Sequence, residues 1–499
     1  MFERAKRPRC GTVRAMRILH AGWGFEPWRG GGLIFYAEDV MEAQAERGHR
    51  VGYFFAGRNY PGQRRPRLHR WRRRGVQMME VMSPPIPVGL DLGTRFPDLD
   101  LDEPATERLF DGAVRGFRPD VVHVQELLGL PSSIVDVAHR HEVPVVMTLQ
   151  DYNPLCPTMK LFDANHEICL RRDPAPVCVR CCRDAPLGTR HMRELTVAFE
   201  LQRLGRALPW ARDPARRALS AAVRRMPTGV AVDEHARGSG EPPAPVDAYR
   251  RRRNENLERL ARVDALIGAS TRTTEIYAEL GVPRERLRTL QLTLGHLASL
   301  TARTIDDPPR PVRFVTLAGA QSEEKGALVT LEAARRLAAT HGEDEYSLEI
   351  HGLVDEGVRE ELERLPSVRV LGLYGRRELP AILDRADVGI VPSVWEEVYG
   401  YVGVEFLARG VPVIGNARGG IPDYAIPGTT GWLNRSCTGA ELAEIMAGVI
   451  RDPAEVVRLN RSIRERRDEL VKPLGRHLDE LEGIYREVID AASEPRRTT

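Results

Sequence analysis

From Met16 to about Asn434, short apolar runs bounded by glycine or polar turns alternate with amphipathic stretches of helical period. A chain that alternates in this way builds parallel sheets covered by helices, because each strand pair needs a crossover and both sheet faces need cover. In the first half the runs predict strands at Arg17 to Ala21, Arg50 to Phe55, Asp120 to Val124, Pro144 to Leu149 and Ala265 to Ala269. In the second half they predict strands at Arg313 to Leu317, Ser347 to His351, Val368 to Leu371, Val388 to Val391 and Val411 to Ile414. Each set suffices for its own doubly wound domain. Between them, Thr289 to Pro311 has no strong period and ends in the proline-rich, charged DDPPRP, which places a domain boundary near residue 300. Residues 183–260 carry leucine, alanine and arginine at helical spacing and read as a helical insertion in the first domain. At the C-terminus, Leu478, Leu481, Tyr485, Val488 and Ile489 form one apolar stripe on a final helix that must dock.

The 499 residues are enough for two or three domains, and a content of 42% hydrophobic and 29% charged residues fits neither a disordered nor a membrane-embedded chain. No run approaches the roughly 18 apolar residues a membrane-spanning helix needs. Residues 1–15 are basic without an apolar core, and read as a loose leader rather than a secretion signal. A net charge of +3 argues against generic nucleic-acid binding, although Arg64 to Arg74 is strongly basic. That run reads either as a solvated face or as a surface for anionic lipid or an acidic acceptor, the latter giving peripheral contact with the inner face of a membrane. Basic residues number 73, yet only Lys6, Lys160, Lys325 and Lys472 are lysines. A lysine in a glycine-bounded loop therefore stands out.

Lys325 is such a residue. The strand RFVTLAG empties into AQSEEKG and then a helix, so Lys325 sits at the carboxyl edge of a sheet, where open α/β folds bind ligands. There a lysine suits a phosphate as a mobile point charge. In the segment VGIVPSVWEEVYGYVGVEFLARGVPVIG a buried strand ends at Pro392-Ser393, and a helix begins around Gly400. Glu397 stays in the loop, Glu405 lies in the early turns, and the free amides around Tyr399 to Val402 point the helix dipole into the same cleft. Carboxylates take hydrogen bonds from hydroxyls, while a lysine and helix-start amides neutralise phosphates, so the site suits a nucleotide-diphosphate sugar. In the first domain, HAGWGFEPWRGGG leads into a helix at Leu33 to Arg47, and Gly30, Gly31 and Gly32 let backbone approach an anion. With Pro27 at the third position of a G-x-G-x-x-G pattern and no acidic end to the second strand, a nicotinamide or flavin site is disfavoured.

Five of seven cysteines fall between Cys156 and Cys182. Cys178 and Cys181 form C-x-x-C, and with Cys156 and Cys169 they make up the ligand count of a structural zinc site; the other reading is unligated thiols in a reducing cytosol.

The segment PSVWEEVYGYVGVEFLARGVPVIGNARGGIPDY resembles the nucleotide-sugar signature of retaining glycosyltransferases of family 4, which have the GT-B fold. The likeness extends to the GG loop and the helix ending ERGHRV, to PDVVHVQ, to G-x5-K-G from Gly319 through Lys325 and Gly326, to LEIHG and to DRADVGIVPS. It implies two Rossmann-like domains facing a cleft. An acceptor-side domain of residues 16–300 would carry the cysteine segment 156–182, a nucleotide-sugar domain would span 301–470, and a final helix in 471–499 would return to the first domain. By position, Glu405 would bind the ribose hydroxyls and Glu397 would face the donor hexose. Lys325 would hold the diphosphate as it leaves, assisted by Gly319, Tyr399, Gly400, Tyr401 and the loop at Gly31 and Gly32. The resemblance implies no catalytic metal and a glycan, lipid-linked or small-molecule acceptor. Two positions depart from the pattern. Ala320 stands where the family usually has arginine, and Gln150 precedes Asp151 where the family commonly has His-Asp. Gln150 still donates a hydrogen bond but does not titrate. His123 reads equally as a second cleft residue or a satisfied core histidine. The rivals are a GT-B sugar-nucleotide epimerase, a phosphorylase, and a degenerate transferase kept as a binding subunit.

Overall fold

The computed structural model describes residues 15–63, 65–207 and 244–494. Among the described residues, fourteen strands form two sheets. The first contains β1 (Arg17–Gly22), β2 (Arg50–Ala56), β3 (Arg67–Arg73), β4 (Val76–Met82), β5 (Val121–Val124), β6 (Val145–Leu149), β7 (Ala265–Gly268) and β8 (Leu287–Thr289) in the order β3-β4-β2-β1-β5-β6-β7-β8. The second contains β9 (Val312–Thr316), β10 (Tyr346–His351), β11 (Val368–Gly372), β12 (Val388–Val391), β13 (Val413–Asn416) and β14 (Gly431–Asn434) in the order β11-β10-β9-β12-β13-β14. Every pairing is parallel except β3 with β4. Residues of β5, β6, β7 and β12 are all buried, as parallel strands covered on both faces must be. This is the two-sheet α/β architecture the sequence pattern called for.

Four strands escape the apolar-run criterion, each for a local reason. In β3 arginines and a histidine alternate with Leu68 and Trp71 on an exposed edge, so the basic run is a strand. In β4 a charged residue interrupts the run, and Glu80 is buried only because Arg58 donates to both its carboxylate oxygens. β8 and β14 span three and four residues. Of the region 183–260, helices Arg190–Ala207 and Val246–Arg262 are described, while 208–243, the leader up to residue 14 and the tail after 494 lie outside the described residues.

The last helix, Leu474–Ser493, crosses to the first sheet. His477 Nε2 meets Tyr36 OH at 2.8 Å, and Tyr485 OH takes a hydrogen bond from Gln44 Nε2 at 3.3 Å. Tyr485 OH also contacts His123 Nδ1 at 2.5 Å, while His123 Nε2 contacts Thr148 Oγ1 at 2.7 Å. His123 is therefore a satisfied core histidine and not a cleft residue, and burial holds its pKa well below the usual imidazole value. The chain of bonds continues from Gln44 through His20 to Gln125, whose side-chain oxygen receives Gln150 Nε2 at 3.1 Å. Thus the C-terminal helix and the end of β6 belong to one buried polar network. Replacing Tyr485 with Phe would strip a hydroxyl from between two buried groups. The expected cost is about 1–3 kcal/mol, read as a lower urea midpoint with an unchanged slope.

Candidate active site

In each sheet the strand order reverses once, between β1 and β5 and between β9 and β12. Ligands of open α/β sheets bind in the crevice outside the carboxyl ends of the strands at that switch point. The loop after β1 carries Gly30 to Gly32, and the residues after β5 are Gln125 and Glu126. The loop after β9 carries Gly319 to Gly326, and that after β12 runs from Pro392 to Gly400. Both sheets therefore deliver their polar loops to the same side of the fold.

In the second domain, Lys325 Nζ donates to Glu397 Oε2 at 2.8 Å. Ser393 Oγ and Trp395 Nε1 donate to the same oxygen at 3.1 and 3.0 Å, and the ammonium lies 4.9 Å from the centre of the Trp395 ring. The geometry depends on glycine. Gly326 has φ +90°, and a Cβ there would meet the Pro392 carbonyl oxygen at 2.2 Å. Gly400 has φ +78° and starts the helix Tyr401–Ala408 without a side-chain cap. Gly319 donates its N–H to Thr316 Oγ1, which fixes the loop leading to Lys325. Glu405, in the second turn of that helix, contacts His296 Nε2 at 2.8 Å through Oε1. Glu396 points elsewhere, taking Gly419 N at 3.0 Å and Arg272 at 3.5 Å. Ala320 is fully buried in the apolar core of the second domain, so its slot is a packing position here.

The first domain meets this site directly. A Cβ on Gly32 would lie 2.5 Å from the Tyr401 ring, whereas Gly31, at φ +109°, faces open space. Thr273 Oγ1 donates to the Val398 carbonyl at 2.9 Å, the Thr271 N–H to Asp423 at 2.8 Å, and His166 pairs with Glu323 at 2.7 Å. Lys160 pairs with Glu324, next to Lys325. Gln150 and Asp151 follow β6. Asp151 Oδ1 takes the Asn153 N–H at 2.7 Å, and its backbone carbonyl takes the Tyr277 hydroxyl at 2.7 Å. Burial pushes the Asp151 carboxyl up to about 6. Burial also raises Tyr399 and Tyr401 above the ordinary phenol range.

Sequence reasoning missed two residues. Glu126, directly after β5, accepts the Trp23 N–H at 3.0 Å, and burial with the Asp151 charge pushes its carboxyl up to about 8. An acidic residue closing the PDVVHVQ strand was the available signal. His296 lies in the stretch without a clear period and gave none.

The cysteine expectation needs correction. Cys156, Cys169, Cys178 and Cys181 do line one small cavity with Arg253, yet no group of three or more Cys, His, Asp or Glu among the described residues is placed to hold a metal ion. Cys156 Sγ is hydrogen-bonded to Thr158 Oγ1, Cys181 Sγ accepts the Ala164 N–H, and burial pushes the Cys181 thiol up to about 11. The six described cysteines are free. No helix among the described residues is long and apolar enough to cross a membrane.

Comparison with known proteins turns on the second domain. Residues 304–466 match the family Glycosyl transferases group 1. This group 1 domain holds Lys325, Glu397 and Glu405. The chain is 28% identical over 177 residues to the putative colanic acid biosynthesis glycosyltransferase WcaL of Salmonella typhimurium, covering 33% of this chain and 43% of that protein. It is 32% identical over 148 residues to glycogen synthase of Mycobacterium tuberculosis, covering 29% and 35%. The matches thus span less than half the length of these curated relatives. Over the whole chain the fold is GT-B. Anabaena HepE in complex with UDP and glucose aligns at a TM-score of 0.53 and 13% identity, covering 94% of this chain and 98% of that one. Sucrose-phosphate synthase of Thermosynechococcus elongatus aligns at 0.58 and 16%, covering 95% and 100%.

The two raised carboxyls give a stability signature. The folded state keeps protons on Glu126 and Asp151 that the unfolded chain has already released. Their contribution is complete below about pH 4 and is lost as pH rises through about 6 and 8. Replacing Glu126 with Gln is expected to flatten the decline between pH 6 and 8 in urea melts. A wild-type decline of the same slope in the variant would contradict the assignment.

Proposed function

We propose that the chain is a retaining glycosyltransferase of family 4, transferring a hexose-type sugar from a nucleoside-diphosphate donor to a hydroxyl acceptor. The observation that carries this reading is the Lys325–Glu397 pair, set at the switch point of a group 1 domain beside an uncapped helix start. A diphosphate entering there competes with Glu397 for the ammonium. Lys325 turns to the phosphates, joined by the amides from Gly400 to Val402, and Glu397 is released to accept from a hexose hydroxyl. Glu405 exchanges His296 for the ribose hydroxyls. As the sugar bond breaks, charge grows on the diphosphate, and a cation already in position stabilises it without reorganisation. The interdomain contacts at Gly32, Thr273 and Lys160 keep water from the reacting centre.

In this reading residues 16–300 hold the acceptor, which is a glycan, a lipid-linked sugar or a small molecule, and 301–470 hold the donor. The basic edge strand β3 serves as a peripheral contact for anionic lipid at the inner face of a membrane. The presence of UDP in the HepE complex supports a nucleotide-sugar donor, and the polysaccharide relatives support a glycan product.

Titration calorimetry with UDP, GDP and ADP tests the reading and chooses the base. Replacing Glu405 with Ala is expected to lose about 1.5–3 kcal/mol of nucleotide binding, roughly ten- to more than a hundredfold. Replacing Lys325 with Ala is expected to slow sugar transfer or donor hydrolysis by roughly 10²–10³-fold, in line with loss of one preorganised charge-stabilising group. Wild-type values in both variants would defeat the proposal, and conversion of the donor to an epimer without sugar release would favour the epimerase.

A further inference from the structure

Lys160 is one of only four lysines in the chain, and the Lys325–Glu397 pair does not involve it. It stands between Met159 and Leu161, whose backbones are both left-handed at φ +65° and +50°, a conformation that side-chain-bearing residues resist and keep only where the surroundings impose it. Leu161 is anchored in the core, and its carbonyl accepts the Cys169 N–H at 2.8 Å. The first domain thus tolerates local strain on both sides of Lys160 to hold it in place.

What Lys160 meets is the second domain. Its ammonium pairs with Glu324, whose side chain is 14% exposed, and at 3.1 Å with Asp91, whose side chain is 57% exposed. The open Asp91 pair is worth little beside the shielded one. Arg272 repeats the arrangement on the neighbouring loop. It holds Glu396, which is buried, at 3.5 Å, and Glu279 on its own helix at 2.9 Å. That helix, Thr271–Glu279, is seated on the second domain by the Thr271 and Thr273 bonds, and a Cβ on Gly420 would lie 2.7 Å from Ser270. A further cross pair, His166 with Glu323, is exposed on both sides and counts for little.

Glu324 directly precedes Lys325, and Glu396 directly precedes Glu397. The Glu324 carbonyl accepts the Val394 N–H at 2.9 Å, which joins the two loops. Both members of the Lys325–Glu397 pair therefore have an acidic neighbour, and a base from the first domain claims each neighbour. Left alone, these loops would set Glu324, Glu396 and Glu397 against one ammonium, and a diphosphate would meet net repulsion.

We propose that Lys160 and Arg272 complete the phosphate site from the first domain: paired with Glu324 and Glu396, they cancel the carboxylates beside Lys325 and Glu397, and so let the site accept a diphosphate. They are positioning residues that act through the two glutamates. The inference rests on the reading of Lys325 as the cation for the diphosphate. Lys160 carries the larger share, because Arg272 is divided between Glu396 and Glu279.

Titration calorimetry on the full chain with inorganic pyrophosphate, with UDP, GDP and ADP, and with their parent nucleosides tests this. Lys160→Met is expected to weaken pyrophosphate and the nucleoside diphosphate about tenfold and to leave the nucleoside unchanged. Adding Glu324→Gln to that variant is expected to restore most of the loss, since the repelling carboxylate is then gone. Wild-type diphosphate affinity in Lys160→Met, a weakened nucleoside, or a loss that the double variant keeps would each overturn the proposal. Glu324→Gln alone, which leaves Lys160 uncancelled, is expected to tighten pyrophosphate, and weakening there would overturn it as well. Nucleoside diphosphate binding that is indifferent to Lys160 defeats this inference and spares the transferase reading. Pyrophosphate binding that depends on Lys160, in a chain that binds no nucleotide, does the reverse.

Discussion

The reversal of strand order in each sheet, between β1 and β5 and between β9 and β12, is the constraint on which the rest of the structure depends. At a reversal the helices on either side leave in opposite directions, so the loops at the carboxyl ends part and leave a crevice. Two such crevices face each other here; Lys325, Glu397 and Glu126 lie in loops that border them, and Glu405 in the helix that follows one of those loops. The second domain supplies a cation and two carboxylates at the start of an uncapped helix. The first supplies acceptor oxygens and a glycine loop that approaches Tyr401. An attractive surface for phosphate therefore meets one that prefers hydroxyls, which is the division of labour a donor and an acceptor would need.

In the second-domain half of the cleft the polar groups satisfy one another. Lys325 is held by Glu397, and Glu405 contacts His296, so each has a partner. Such pairs are exchangeable, since a diphosphate offers the ammonium more charge than a carboxylate does. Glu126 Oε2, Gln150 Oε1 and Asp151 Oδ2 have no such partner among the described residues, which distinguishes the first-domain wall from the second.

How legible this was in the sequence depended on the kind of signal. The buried strands β5, β6, β7 and β12 are near-continuous apolar runs and could be read directly. β3 and β4 could not, because an edge strand tolerates arginine on its open face and because Glu80 enters the core only with Arg58 as its partner. Lys325 was conspicuous through the rarity of lysine, and Glu397 and Glu405 through a helix start and their spacing. Their mutual pairing was not, since the same loops allow other rotamers. His123 illustrates the opposite limit. Its strand was evident, but whether it faced the cleft or the core depended on Tyr485, 362 residues away. The cysteines show that ligand spacing can bring four thiols to one cavity without placing three of them to hold an ion among the described residues.

In the proposed function Lys325 and Glu405 act on different parts of one bound nucleotide. The most direct measurement is the ratio of affinities for a nucleoside diphosphate and its parent nucleoside, taken in wild type, Lys325→Ala and Glu405→Ala. If the account is right, Lys325→Ala erases most of the preference for the diphosphate, while Glu405→Ala weakens both ligands alike and preserves the ratio. A ratio unchanged by Lys325→Ala, together with nucleoside binding unaffected by Glu405→Ala, would contradict it.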